Sequence, residues 1–356
     1  MPTAFDPFNF GELQLPNRIV MAPMTRSRAA MPGATATPLM AEYYAQRAGA
    51  GLIITEGIQP NVVGQGYVNT PGLHSDAQVR SWQAVTEAVH AAGGRIFAQL
   101  MHTGRIGHPD SYANGPMTPV GPSPVKAAGQ TFTPTGLQDF VVPRELSGAD
   151  IDATVHDFAS AARNAVAAGF DGVELHGANG YLLHQFLSTN ANQRRDDWAG
   201  SVPGRVRFPV EVSRAVADTI GASRTGLRIS PGNPMNDIVE DDADIYPALL
   251  DALDPIGLAY LHVMETTDPE LTRRLRAQWQ GAFFLNPATP GGATGPDQLH
   301  LVEDGSADLL SFGAAFLANP DLPARLASGG PFNAPDFATA YGGDARGYTD
   351  YPSLGA

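Results

Sequence analysis

The sequence predicts an α/β chain closed into a single (β/α)8 TIM barrel. Two observations carry this. Short apolar, β-rich runs recur eight times along the 356 residues, and longer amphipathic stretches with helical spacing separate most of them. Continuous apolar runs alternating with helices mark parallel strands buried on both faces. Eight such strands in a chain this long suit a closed barrel better than an open doubly wound sheet. A third observation excludes the main competitor. Gly49-Ala50-Gly51 begins a dinucleotide-binding fingerprint but lacks its third glycine, and no phosphate-binding P-loop pattern occurs.

The predicted strands are Arg18–Met21, Leu52–Thr55, Ile96–Leu100, Gly172–Leu175, Gly226–Ile229, Ala259–Val263, Ala282–Leu285 and Asp308–Phe312. The clearest helices are Asp76–Ala92, Asp150–Ala168, Gly204–Ile220 and Asp242–Leu253. Two segments interrupt the alternation. Residues 1–17 precede the first strand and predict a hairpin that caps the barrel floor. Residues 103–148 follow the third strand, are rich in Pro and Gly, and are too long for a plain connection, so they predict a lid with its own β-hairpin. No linker or repeat divides the chain, which predicts one domain over 1–356.

Composition narrows the function. Apolar residues make up 43%, enough for a large core, and charged residues only 16%, which argues against disorder. A net charge of −14 repels nucleic acid and anionic membrane surfaces, so neither is an expected partner. A phosphate-bearing cofactor must then be held by local groups. The absence of cysteine excludes disulfides, thiolate catalysis and iron–sulfur clusters. No basic segment followed by an apolar run opens the chain, and no apolar run nears the roughly 18 residues of a membrane span, so a cytoplasmic location is expected.

Active sites of such barrels lie at the C-terminal strand ends. Several chemistries fail there. A Schiff-base mechanism needs a strand lysine, but the one lysine, Lys126, falls in the insertion. No His-x-His pair gathers a metal, so none is expected. Glu174 finds no facing carboxylate on the seventh strand, which offers Asn286, so a retaining glycosidase is not supported. What remains is neutral hydrogen-bonding groups, one arginine and a glycine-bearing loop, Gly291 to Gly295, before the last strand. Such a loop suits a phosphate, and the strand ends suit a planar ring. Flavin mononucleotide has that shape.

These residues also carry a resemblance. The run Glu174-Leu175-His176-Gly177-Ala178-Asn179-Gly180-Tyr181, continuing through Leu182 to Ser188, resembles the central signature of the Old Yellow Enzyme family. Ala22-Pro23-Met24-Thr25-Arg26, Pro71-Gly72-Leu73-His74, Leu227-Arg228-Ile229-Ser230-Pro231, Asn319-Pro320-Asp321-Leu322 and Gly347-Tyr348-Thr349-Asp350-Tyr351-Pro352 match as well, so the similarity runs from about residue 5 to the end.

The resemblance implies an FMN-dependent ene-reductase that reduces activated alkenes with NADPH or NADH. It implies that His176 and Asn179 bind the activating carbonyl or nitro oxygen and that Tyr181 protonates carbon. Pro23, Met24, Thr25, Gly57, Gln99 and Arg228 would hold the flavin ring. Gly292, Ala293, Gly313 and Ala314 would hold its phosphate, with the Thr294 hydroxyl. Tyr67, Met101 and Tyr341 would line the substrate pocket with Thr25. Three departures stand out. Ala314 replaces the family's phosphate-binding arginine after the eighth strand, Met101 replaces a common tryptophan, and Trp198-Ala199-Gly200-Ser201 replaces Tyr-Gly-Gly-Ser. His184, beyond the central turn, reads as structural. Arg144 is either a contact for nicotinamide phosphates or a solvated charge. Two alternatives stay open: a degenerate or repurposed barrel, for which Ala314 is the argument, and a flavin enzyme fed by a deazaflavin or another donor. A monomer or homodimer is expected.

Overall fold

A computed structural model describes residues 1–11, 13–289 and 292–355. Eight parallel strands close into a barrel: β1 (Ile19–Met21), β2 (Leu52–Ile58), β3 (Ile96–Leu100), β4 (Gly172–Gly177), β5 (Thr225–Ile229), β6 (Tyr260–Met264), β7 (Ala282–Asn286) and β8 (Leu309–Phe312). Each pairs with its chain neighbours, and β8 pairs with β1 to complete the ring. The apolar runs therefore locate all eight strands, with the main extension at the end of β2. The expected helices appear as Asp76–Ala91, Gly148–Ala167, Val202–Ile220 and Ile245–Leu253. Capping boxes at Ser75 with Gln78 and at Ser147 with Asp150 set the starts of the first two. Helices Pro38–Ala45 and Pro269–Gln278 fill connections that the reading above leaves unassigned.

Two apolar layers hold the barrel. Outside it, strand residues such as Ile53, Leu100 and Leu175 pack on helix residues such as Trp82 and Phe158. Inside, the lower barrel holds Val20, Leu52, Ile54, Phe97, Tyr260, Phe284 and Leu309. The N-terminal hairpin, Phe8–Phe10 with Leu13–Leu15, plugs this end, and Phe10 and Leu15 join the same cluster. The Phe10 ring lies 5.6–6.0 Å from the rings of Phe97, Tyr260 and Phe284. Filling the floor with aromatics leaves the opposite, C-terminal end as the open one.

The insertion contains the expected antiparallel hairpin, Gln130–Thr133 with Gly136–Asp139. A short pair, Val120–Gly121 with Arg144–Glu145, fastens its base. No helix among the described residues is long and apolar enough to cross a membrane.

Candidate active site

Register places the polar strand residues in layers. Glu174 on β4 stands beside Gln99 on β3, and His176 beside Arg228 on β5 and His262 on β6. Successive strand residues alternate faces, so Glu174 and His176 both point into the barrel. One buried network is built around Glu174. Gln99 Nε2 donates to Glu174 Oε1 at 2.8 Å, Tyr260 Oη donates to Glu174 Oε2 at 3.1 Å, and His262 Nδ1 donates to Glu174 Oε2 at 2.8 Å. Arg228 Nη1 donates to the other His262 nitrogen, and Arg228 Nη2 to Asn286 Oδ1 at 3.2 Å. Burial and the Arg228 charge lower the His262 pKa to about 4, so this imidazole is neutral at neutral pH. Burial alone would raise the Glu174 pKa, but its contacts with His262, Arg228 and Gln99 hold it below the ordinary carboxylate value. Arg228 and Glu174 thus offset each other beneath the open end.

Above this network lies an inner cavity of about 350 Å³, lined by residues that include Pro23, Met24, Thr25, Gly57, Gln99, Met101, His176, Asn179, Tyr181 and Tyr341. A Cβ on Gly57 would lie 2.5 Å from Met101 Cε, so any larger residue there would have to displace the Met101 side chain. Met101 therefore presses directly on the floor that Gly57 provides.

The turn after β4 supplies the reactive groups. Asn179 and Gly180 both adopt positive φ, +57° and +77°. Gly tolerates this freely and Asn better than most residues. Ala178 N–H donates to His176 Nδ1 at 3.3 Å, which leaves the proton on Nε2. Burial, then the Arg228 charge, pushes the His176 pKa well below its usual value, so the ring is a neutral donor. The His176 and Tyr181 rings meet edge to face at 4.9 Å. Tyr181 Oη lies 3.0 Å from Tyr67 Oη. Burial, then the neighbouring Tyr67, drives the Tyr181 pKa well above 10, which keeps its proton in place.

An outer cavity of about 520 Å³ shares Thr25, Tyr181 and Tyr341 with the inner one. Tyr67, Asn236 and Met235 line it, and Gln130, Thr131, Phe132 and Phe140 of the insertion close over it.

The structure brings together Pro23, Met24, Thr25, Gly57, Gln99, Met101, His176, Asn179, Tyr181 and Tyr341 as inner lining, with Tyr67 on the outer cavity. Tyr341 is 72% exposed, so it stands at the mouth. Arg228 is buried one layer below the lining. Gly292 and Ala293 are exposed in the loop after β7, while Gly291 lies outside the described residues. Gly313 and Ala314 open the five-residue helix Ala314–Ala318, whose Leu317 reaches the inner cavity. A Cβ on Gly313 would meet nothing nearer than Met24 Sδ at 3.9 Å, so Gly313 borders the inner lining with open space before it. His184 is structural: Gly180 N–H donates to its Nδ1 at 3.0 Å, and its Nε2 meets Glu240 Oε1 at 2.6 Å. Arg144 pairs with Asp150 at 2.7 Å.

Sequence reasoning misses several supports. Tyr260 and His262 stand on β6, where each is one more polar residue in an apolar strand; their two-residue spacing, like that of Glu174 and His176, is the signal for a polar layer inside the barrel. Asn233 and Asn236 lie in an irregular loop after β5 and give no such signal.

A flavin fits these residues. Arg228 Nε is buried and has no partner among the described residues, directly under the cavity floor. Ser311 Oγ on β8 is likewise buried without a partner. Buried donors rarely stay unpaired, and a polar ligand that reached them would relieve the deficit.

Comparison with known proteins agrees. The family model described as "NADH:flavin oxidoreductase / NADH oxidase family" matches residues 3–333. A probable flavin mononucleotide-dependent alkene reductase of Leishmania infantum is 40% identical, over 98% of this chain and 96% of its own length. Morphinone reductase in complex with tetrahydroNAD superposes with a TM-score of 0.93 at 41% identity, covering 99% of this chain and 98% of that one. The old yellow enzyme homologue of Zymomonas mobilis gives a TM-score of 0.94 at 38% identity, covering 99% of both chains.

Proposed function

This chain belongs to the NADH:flavin oxidoreductase / NADH oxidase family, and on that premise we propose how its two cavities work. The protein is an FMN-dependent oxidoreductase of the ene-reductase kind, using NAD(P)H to reduce the C=C bond of activated alkenes. Its proposed substrates are α,β-unsaturated carbonyl compounds, maleimides and nitroalkenes.

Pro23, Met24 and Gly57 would carry the flavin ring, with Thr25 and Gln99 as polar contacts. Gln99 spends its Nε2 on Glu174, so its Oε1 remains to accept a hydrogen bond from the ring. Arg228, held in place through His262 and Asn286, contributes a fixed positive charge beneath it. Backbone N–H groups at Ala293, Gly313 and Ala314 would take the phosphate that an arginine holds in relatives, whereas the Gly292 N–H already donates to the Thr289 carbonyl at 3.0 Å. Bound there, FMN would supply the hydride-transfer chemistry that links the nicotinamide to the alkene β-carbon.

The chain's own residues supply the rest. The His176 Nε2–H and the Asn179 side-chain amide donate to the carbonyl or nitro oxygen. Both favour the charge that accumulates there as hydride reaches the β-carbon. Tyr181 gives its proton to the α-carbon and regains one through Tyr67, which opens on the outer cavity. The insertion covers that outer cavity and excludes water.

The convergence of His176, Asn179 and Tyr181 on one cavity, the first neutral and the last held protonated, carries this reading. Two anaerobic half-reactions on the purified yellow protein test it. NAD(P)H should bleach the flavin absorption, and 2-cyclohexenone should restore it. Bleaching without restoration by any activated alkene would leave a flavin reductase with another acceptor.

A further inference from the structure

The outer cavity is the way to the inner one, because Thr25, Tyr181 and Tyr341 line both. A nicotinamide seated in the inner cavity therefore leaves its adenosine half over the outer cavity and the surrounding loops. The charges there are one-sided. None of the residues lining the outer cavity is charged. The hairpin that closes over it, Gln130 to Asp139, carries one acid, Asp139, and no base. The loop after β5, residues 231–244, carries five acids and no base; Asp237 faces Arg105, Glu240 meets His184 and Asp242 pairs with Arg205, which leaves Asp241 and Asp244.

Most basic residues of this face are committed elsewhere. Lys126 pairs with Asp139 at 3.4 Å and Arg144 with Asp150 at 2.7 Å. Arg105 is buried and faces Asp237, and Arg28 is buried against the carbonyls of Arg26, Thr339 and Asp344. Arg346 and Arg195 are exposed, but neither lines a cavity, and each has acids close by in sequence, Asp344 and Asp350 or Asp196 and Asp197.

We propose that the outer cavity selects the reductant: the chain takes NADH and discriminates against NADPH. NADPH differs by a 2′-phosphate, which adds about 1.5 to 2 negative charges at neutral pH. Such a group is bound through charge-assisted hydrogen bonds, ideally from an arginine fork. No cation lines the outer cavity, so the extra phosphate finds no charged partner along it, and the chain's net charge of −14 opposes its approach. The pyrophosphate common to both dinucleotides does not distinguish them. The inference rests on the reading of the chain as an NAD(P)H-dependent flavin enzyme.

Calorimetric titration of the oxidised FMN holoenzyme with tetrahydro-NAD and tetrahydro-NADP measures binding without turnover, and anaerobic single-turnover reduction by NADH and NADPH measures the consequence. The expected Kd for the phosphorylated ligand is at least about tenfold weaker at low salt, and the gap narrows as salt screens the repulsion. Gln130→Arg and Phe132→Arg, each placing a cation on the lining, should shift the ratio toward NADPH. Equal or tighter binding of the phosphorylated ligand by the unaltered holoenzyme would overturn the inference while leaving the flavin-reductase reading intact. A ratio unmoved by both substitutions would overturn its assignment to this cavity. Failure of both dinucleotides to reduce the bound flavin would instead overturn the underlying reading of the reductant.

Discussion

Asn233 Nδ2 donates to Asn179 Oδ1 at 2.9 Å, and this contact decides which end of the Asn179 amide is left for the inner cavity. The direction is fixed one step back, because Met235 N–H donates to Asn233 Oδ1 at 3.0 Å. With its oxygen engaged, Asn179 keeps its N–H₂ as a donor. Asn236 Nδ2 holds the Asn179 carbonyl at 2.7 Å, and Asn179 N–H donates to Ser230 Oγ at 2.9 Å, so the strained turn is tied on three sides.

Asn233→Asp reverses this polarity. A carboxylate at 233 attracts the Asn179 N–H₂ and turns its oxygen toward the substrate oxygen. Reoxidation of the reduced enzyme by 2-cyclohexenone should slow on the order of 100-fold, the cost of losing one preorganised donor, while reduction by NADH changes little. Asn233→Ala, which only frees the amide, should cost less. Rapid-mixing measurement of both half-reactions checks this; equal rates in the variant and the parent would remove Asn233 from the account.

Glu174→Gln tests the network under the floor. The change leaves the Arg228 charge without its counterion and disturbs the anchors of Gln99, Tyr260 and His262. Uncompensated positive charge favours electron uptake, so the flavin midpoint potential should rise on the order of 30 mV, equivalent to about 1.4 kcal/mol for a two-electron couple. Potentiometric titration reads it. An unchanged potential would mean that Glu174 serves packing alone.

Glu56 offers a stability prediction with a defined pH window. Burial, opposed in part by contacts with Arg26, raises its pKa from 4.5 to about 7. The folded state therefore binds a proton that the unfolded chain releases between those values, and this contribution to stability is lost as pH rises from about 4.5 through about 7. Glu56→Gln should abolish the loss. Relative to the variant, the parent should become less stable between pH 5 and 8 by up to roughly 3 kcal/mol. Denaturant titrations across that range measure the difference.

Much of this was legible before any coordinates. All eight strands are read from short apolar runs because barrel strands are buried on both faces, with Gln99, Glu174, Arg228 and His262 standing out as polar interruptions. His176, Asn179 and Tyr181 are legible as a set because they sit within six residues of one strand end. Asn233 and Asn236 were not, since a loop without periodicity says nothing about which side chain it turns inward. The role of Glu174 depends on partners from β3, β5 and β6, and only barrel closure brings them within reach.

Tyr67→Phe removes the only hydroxyl recorded within hydrogen-bond reach of Tyr181 Oη among the described residues, at 3.0 Å. Proton return to Tyr181 should slow, so turnover should fall several-fold. A double-mutant cycle with Tyr181→Phe should show no further loss from the Tyr67 change, because the two act on one proton. Additive losses would separate their roles.

The most direct test of the central claim is the pair of half-reaction rates in Tyr181→Phe. In the parent, reoxidation by 2-cyclohexenone should stay flat with pH up to about 10, because burial holds the Tyr181 proton above that value. In the variant, reduction by NADH should proceed at close to the parental rate, while reoxidation by the alkene falls roughly 100-fold or more, the usual worth of a positioned acid. Equal losses in both half-reactions, or none in the alkene step, would contradict the assignment of Tyr181 as the proton donor.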